Sequence, residues 1–149
     1  MTLNIPHPYL DGMAETWMQS HQENFESGEG VVFAMVDTQS GKMMGAVGLI
    51  VTRRFKRAEL GYWVGKPFWG KGYATEASRA VLQYGFEVMQ LNKISASHLT
   101  RNPASGRVIQ KIGMEQEGLL KQQVLKWDQY VDLAVYGILL ESWQKTRAK

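Results

Sequence analysis

Glu59-Leu60-Gly61-Tyr62-Trp63-Val64-Gly65-Lys66-Pro67-Phe68-Trp69-Gly70-Lys71-Gly72-Tyr73-Ala74 is the stretch on which the reading of this chain turns. Ala58 to Val64 reads as a strand, and the glycine-dense loop after it opens a helix. That helix carries Ala74, Ala77, Val81, Leu82, Gly85, Val88 and Met89 on one side. Amides at a helix N-terminus have no intrahelical partner and sit at the positive end of the helix dipole, so they suit phosphate oxygens. Glycine removes the side chain that would keep such a ligand away, and Lys71 adds a mobile positive charge. The spacing is neither that of a P-loop, which requires Gly-Lys followed by Ser or Thr, nor that of the three-glycine dinucleotide fingerprint. A tight strand-to-helix connection explains the same glycines through their backbone angles alone.

Outward from this stretch the chain alternates short elements. Residues 1–8 form an irregular lead-in with two prolines. Leu10, Met13, Ala14, Trp17, Met18 and His21 follow helical spacing with Asp11 as a cap, and the polar run from Glu23 to Gly30 stops that helix. Val31 to Val36 and Met43 to Thr52 predict an antiparallel hairpin. After the glycine loop and its helix come a strand over Lys93 to Thr100 and a short helix opened by Asn102-Pro103. Val108, Ile109 and Ile112 point inward from that helix, and Gly113 stops it. Two long strands, Glu115 to Leu125 and Tyr130 to Leu140, flank the turn Lys126-Trp127-Asp128-Gln129. This predicts one α+β domain over residues 1–149, with a mixed, mostly antiparallel sheet flanked by helices.

The chain has 149 residues, and its 17 Lys+Arg against 14 Asp+Glu leave a formal charge of +3. Such a mild excess suits a polyanionic small molecule and requires no direct nucleic-acid contact. No apolar run reaches the ~20 residues of a membrane span, and no signal-peptide pattern appears, so a cytoplasmic location is expected. Cysteine is absent, which excludes a cysteinyl-enzyme intermediate and a Cys-ligated zinc site. The three histidines, His7, His21 and His98, are too far apart for a local metal motif, so no metal is expected.

Gly61-Tyr62-Trp63, Trp69-Gly70-Lys71-Gly72-Tyr73-Ala74-Thr75-Glu76-Ala77, Asn102-Pro103-Ala104-Ser105 and Ile112-Gly113-Met114 occur in an order that resembles the GNAT superfamily of acetyl-CoA-dependent N-acetyltransferases. The branch they resemble acetylates ribosomal-protein N-termini (RimJ/RimL-like). The loop departs from the superfamily pattern only at its first position, Trp69. The resemblance implies a GNAT fold with acetyl-CoA as co-substrate and a primary amine as acceptor, attacked directly in a ternary complex. It implies that the amides of Gly70, Lys71, Gly72, Tyr73 and Ala74 hold the pyrophosphate, that Trp63 and Val64 pair with the pantetheine arm, and that the amide near Val64 polarises the thioester. Trp69 then covers the cofactor or walls the acceptor channel. Asn102 contacts the pantetheine, although it also reads fully as a helix cap. Ser105 lies near the sulfur, as proton donor or hydrogen-bond donor. Glu59, on the strand face shared with Gly61 and Trp63, is the expected base, directly or through water.

Members of this branch begin with a strand and helix that are not evident here, so the chain reads as short at its N-terminus. The sheet edge this exposes predicts self-association, most simply a homodimer. Two other functions fit the same residues: acetylation of a small amine, such as a polyamine, amino acid or aminoglycoside, and a CoA-binding module with impaired catalysis.

Overall fold

Apolar runs in Gly30–Val36 and Met43–Thr52 and alternation in Arg57–Val64 help build a six-stranded sheet, and two helices with apolar stripes close one of its faces. The computed structural model describes residues 13–148; Leu10 and Asp11, assigned to the start of the first helix, lie outside them. The elements are α1 (Met13–Ser27), β1 (Gly30–Val36), β2 (Met43–Thr52), β3 (Arg57–Val64), α2 (Tyr73–Glu87), β4 (Lys93–Leu99), α3 (Pro103–Lys111), β5 (Glu115–Lys126), β6 (Gln129–Leu139) and α4 (Leu140–Arg147). The strand order is β1-β2-β3-β4-β6-β5, and every neighbouring pair is antiparallel except β3–β4. The mixed, mostly antiparallel sheet expected from the sequence is therefore present.

Helices α2 and α3 send Val81, Leu82, Phe86, Ile109 and Ile112 onto Leu49, Leu60, Ile94 and Tyr136 of the sheet, all buried in one cluster. Each such aliphatic side chain contributes ~1.5–3 kcal/mol on leaving water. Gly85 sets how close α2 comes, because a Cβ there would stand 2.7 Å from Ile94 Cδ1. A second, smaller cluster forms around Leu99, Val131 and Leu133. Among the described residues β1 forms one edge of the sheet and β5 the other.

Two elements differ from the sequence reading. Helix α1 does not stop at the polar run but continues to Ser27, with Gln22 donating to Glu26 at 2.7 Å, and ends at Gly28, whose φ is +74°. Polar residues with good helix propensity carry an exposed helix onward until a residue suited to the left-handed region breaks it. Helix α4 was not foreseen, since only Leu140 and Trp143 mark its buried side. Trp143 stacks near Phe86, 5.1 Å between ring centroids. The hairpin turn is as expected, and Trp127 and Asp128 both take positive φ, 49° and 57°, as a two-residue turn matched to strand twist requires.

The feature that positions the site is the way β3 and β4 part. They pair only at Arg57–Lys93, Ala58–Ile94 and Glu59–Ser95, and beyond that the strands are no longer bonded to each other.

Candidate active site

The parting of β3 and β4 leaves main-chain groups without a strand partner. The bond from the Gly65 amide to the Met44 carbonyl (2.7 Å), with the register of β2 against β3, fixes which residues face which neighbour. Antiparallel alternation then aims the main chain of Leu60, Tyr62 and Val64 at the gap and that of Trp63 at Ala46 of β2. Ala58, in the same phase, confirms the direction: its carbonyl accepts from Ser95 Oγ of β4 at 3.3 Å. The main chain that faces the gap therefore belongs to Tyr62 and Val64, while Trp63 lines the cleft without presenting its backbone to it.

Around the gap lies a cleft of about 1010 Å³. Its walls include Glu59, Tyr62, Trp63, Val64, Trp69, Gly70, Tyr73, Ala74, Asn102 and Ser105, so residues from three separated segments meet in one space. At one end the loop bends through Gly70 (φ +73°) and Gly72 (φ +81°), and a Cβ added at either would meet no atom within 4 Å. Gly72 caps α2 without a side-chain bond, and the Glu76 amide bonds the Gly72 carbonyl at 3.0 Å. The preceding first-turn amides, of Tyr73, Ala74 and Thr75, thus point out of the helix end. Lys71 is exposed and close enough to Asp37 to help hold that carboxyl below its ordinary value, behind the larger effects of bonds from Ser40 and Gln39. The Trp69 indole N–H donates to the Val64 carbonyl at 2.7 Å. Trp69 therefore pins the loop to the end of β3 and occupies the acceptor that Val64 would otherwise offer, leaving its amide.

Across the gap, α3 begins at Asn102, whose side-chain oxygen accepts the Ser105 amide at 3.3 Å. The cap reading of Asn102 is what the structure displays. One turn into α3, the Ser105 hydroxyl lies 2.8 Å from the Tyr62 hydroxyl, and Tyr62 Oη also lies 3.0 Å from the Ser105 carbonyl. Burial pushes the Tyr62 phenol above its ordinary pKa, and the bond with Ser105 pulls it part of the way back. Strand alternation sends Tyr62 to the helix-covered side of the sheet with Leu60, and Glu59 to the other side with Trp63. Glu59 is exposed and accepts from Ser97 Oγ at 3.5 Å. His98 holds the Leu99 carbonyl at 2.9 Å through Nδ1 and packs against Gly106. No group of three or more metal-ligating side chains occurs among the described residues.

Two participants were not singled out from sequence. Tyr62 stands in the sequence only as part of a motif, yet its place at an inward position of an apolar strand, between Leu60 and Val64, marks a hydroxyl among hydrocarbon. Ser97 offered no local signal, since only the pairing of β3 with β4 brings it beside Glu59.

The sheet is thus opened between two parallel strands, with glycine-rich helix amides at one end and paired hydroxyls and a carboxylate along its walls. The pattern described as Acetyltransferase (GNAT) domain matches residues 1–115, and the chain belongs to that family. It is 44% identical over 82 residues to the uncharacterized N-acetyltransferase YnaD of Bacillus subtilis, covering 54% of this chain and 48% of that protein. It is 26% identical over 127 residues to the [ribosomal protein uS5]-alanine N-acetyltransferase of Escherichia coli, covering 84% and 66%. A solved structure of a probable acetyltransferase superposes with a TM-score of 0.84 at 27% identity, over 92% of this chain and 76% of that one. The match spans about half of YnaD and just under two thirds of the uS5 enzyme. No helix among the described residues is long and apolar enough to cross a membrane.

Proposed function

We propose that this chain is an acetyl-CoA-dependent N-acetyltransferase acting on a primary amine, with the N-terminal amine of a protein or peptide as acceptor. The observation that carries the reading is the unpaired gap between β3 and β4, bounded by Gly70–Ala74 at one end and by Ser105 at the α3 side. The residues fit the co-substrate: open glycine positions and outward amides for a pyrophosphate, and the Tyr62 main chain with the Val64 amide for an amide-bearing arm. Acetyl-CoA supplies an acetyl group activated as a thioester. Gly70, Lys71, Gly72, Tyr73 and Ala74 bind its phosphates, the Val64 amide faces the arm, and Asn102 orders the start of α3 beside it. Glu59 takes a proton from the acceptor amine, directly or through water, and Ser105 holds a proton toward the leaving sulfur. Their positions on opposite sides of the sheet suit a transfer in which the amine enters from one side and the thiol leaves on the other. The uS5-alanine acetyltransferase among its relatives supports a protein N-terminus as acceptor.

The edge strand β1 and neighbouring α1 leave Val32, Phe33, Val36, Met18 and Phe25 exposed, which supports self-association as a homodimer. Light scattering giving only monomer refutes that part. For the activity, calorimetry with acetyl-CoA, CoA and ATP comes first, and absence of acetyl-CoA binding removes the assignment. Release of free thiol is then followed with peptides beginning in Ala or Ser against polyamines, amino acids and aminoglycosides. Turnover confined to the small amines overturns the acceptor, and binding without any turnover marks a CoA-binding module.

A further inference from the structure

Two hydroxyls, two protons and one carbonyl are gathered where α3 meets the gap. Tyr62 Oη is within hydrogen-bond distance of both the Ser105 carbonyl (3.0 Å) and Ser105 Oγ (2.8 Å). A phenol has one proton and a serine hydroxyl has one. Two arrangements keep the two hydroxyls bonded to each other. In the first, Tyr62 donates to the Ser105 carbonyl while Ser105 Oγ donates back to Tyr62, and the serine proton is spent inside the pair. In the second, Tyr62 donates to Ser105 Oγ, and the serine proton is released toward the cleft that both residues line.

We propose that Tyr62 is a positioning residue for the transfer reaction, fixing the rotamer of Ser105 and, by moving its own proton from the Ser105 carbonyl to Ser105 Oγ, freeing the serine proton for the leaving sulfur. This rests on the acetyltransferase reading given above. In the transfer, the acceptor nitrogen bonds the acetyl carbon, the carbon–sulfur bond breaks, and the sulfur leaves with the electron pair and takes one proton from Ser105 Oγ. The proton given up by the amine, passed through Glu59 to solvent, balances the one that solvent returns to the hydroxyl pair. Tyr62 is suited to the task because its ring is half-buried and packed against the core while its hydroxyl meets Ser105 beside the cleft. Its phenol is also held above its ordinary pKa by burial, so it stays a donor throughout the neutral range. The two contacts with Ser105 differ by 0.2 Å, so moving the proton between them needs no large rearrangement.

The test is a double-mutant cycle on Tyr62→Phe and Ser105→Ala, with acetyl-CoA affinity, kcat and KM measured for each. Tyr62→Phe is expected to lower kcat about tenfold or more and leave acetyl-CoA affinity and KM within twofold. In the Ser105→Ala background it should cost nothing further, because its effect passes through that hydroxyl. A readout in the ligand-free protein stands beside activity: the ¹³Cζ resonance of Tyr62, assigned by its loss in Tyr62→Phe, should shift in Ser105→Ala. Ser105→Thr, which keeps the hydroxyl, should restore both that shift and part of kcat. Additive losses in the cycle, or an unmoved resonance, overturn the role of Tyr62 while leaving the acetyltransferase reading in place. A wild-type protein that releases no thiol with any amine refutes the activity and this role together.

Discussion

Replacing Gly70 by alanine separates what the glycine loop does for the fold from what it does for a ligand. Gly70 sits at φ +73° with no atom within 4 Å of an added Cβ, so the substitution meets no clash and costs only backbone conformation. The left-handed region costs a residue bearing a Cβ about 1–2 kcal/mol. Alanine recovers about 0.4–1 kcal/mol of that through the lower entropy of its unfolded chain. The net loss is roughly 1 kcal/mol, a fall in Tm of about 2–4 °C for a chain of this size. Gly113, at the far end of α3, is the control. Its φ is +93° and an added Cβ meets only Ile138 Cδ1 at 3.6 Å, an ordinary contact. Gly113→Ala should therefore lose about as much stability as Gly70→Ala. The two should part in calorimetry with acetyl-CoA, because the Gly70 methyl would stand in the cleft where phosphate oxygens approach the α2 amides. Losing one hydrogen bond to a charged group costs about 1.5–3 kcal/mol, roughly a 10- to 100-fold weaker Kd. Equal Kd values for wild type and both variants would refute the phosphate role of the loop. So would a Gly113→Ala protein that loses as much affinity as Gly70→Ala.

Glu59→Gln should lower kcat/KM by roughly 10²–10⁴ while acetyl-CoA binding is retained, and an unchanged pH–rate profile would remove Glu59 as base. Asn102→Ala should lower unfolding free energy by about 1 kcal/mol through loss of the α3 cap, and a chemical denaturation midpoint identical to wild type would contradict the bond to the Ser105 amide. The carboxyls of Asp37, Glu87, Asp132 and Glu141 are held below their ordinary values, chiefly by bonds from Ser40, Gln83, Gln122 and Lys145 respectively. Since the folded state holds these protons less tightly than the unfolded one, their stabilisation is complete above the ordinary values of 3.8 and 4.5 and is lost as pH falls through the lower folded values. Tm should accordingly hold near neutrality and drop in that acid window. A Tm flat down to pH 3 would refute the assignment.

What could be read from the chain alone was whatever depends on neighbours in sequence. The apolar runs of β1 and β2, the alternation in β3, the Asn102-Pro103 helix start, the Gly113 stop and the Trp127-Asp128 turn are each legible from residues close in sequence. The glycine loop was legible for the same reason, because Gly70 and Gly72 sit where only residues without a Cβ adopt the needed angles cheaply. The order of those motifs along the chain carried the family. The tertiary structure alone decided the parting of β3 from β4 after Glu59, since it depends on the pairing of strands more than thirty residues apart. It also decided which main chain faces that gap, giving Tyr62 and Val64 in place of Trp63. It set a bond from Trp69 on the Val64 carbonyl, brought Ser97 to Glu59, and joined Tyr62 to Ser105 across 43 positions. Hydrogen bonds between distant segments leave no periodicity in the sequence, because either partner alone is an ordinary polar residue. Only when burial fixes both in one place does the pair acquire its geometry, and with it the chemistry that a single hydroxyl on an isolated strand would not have.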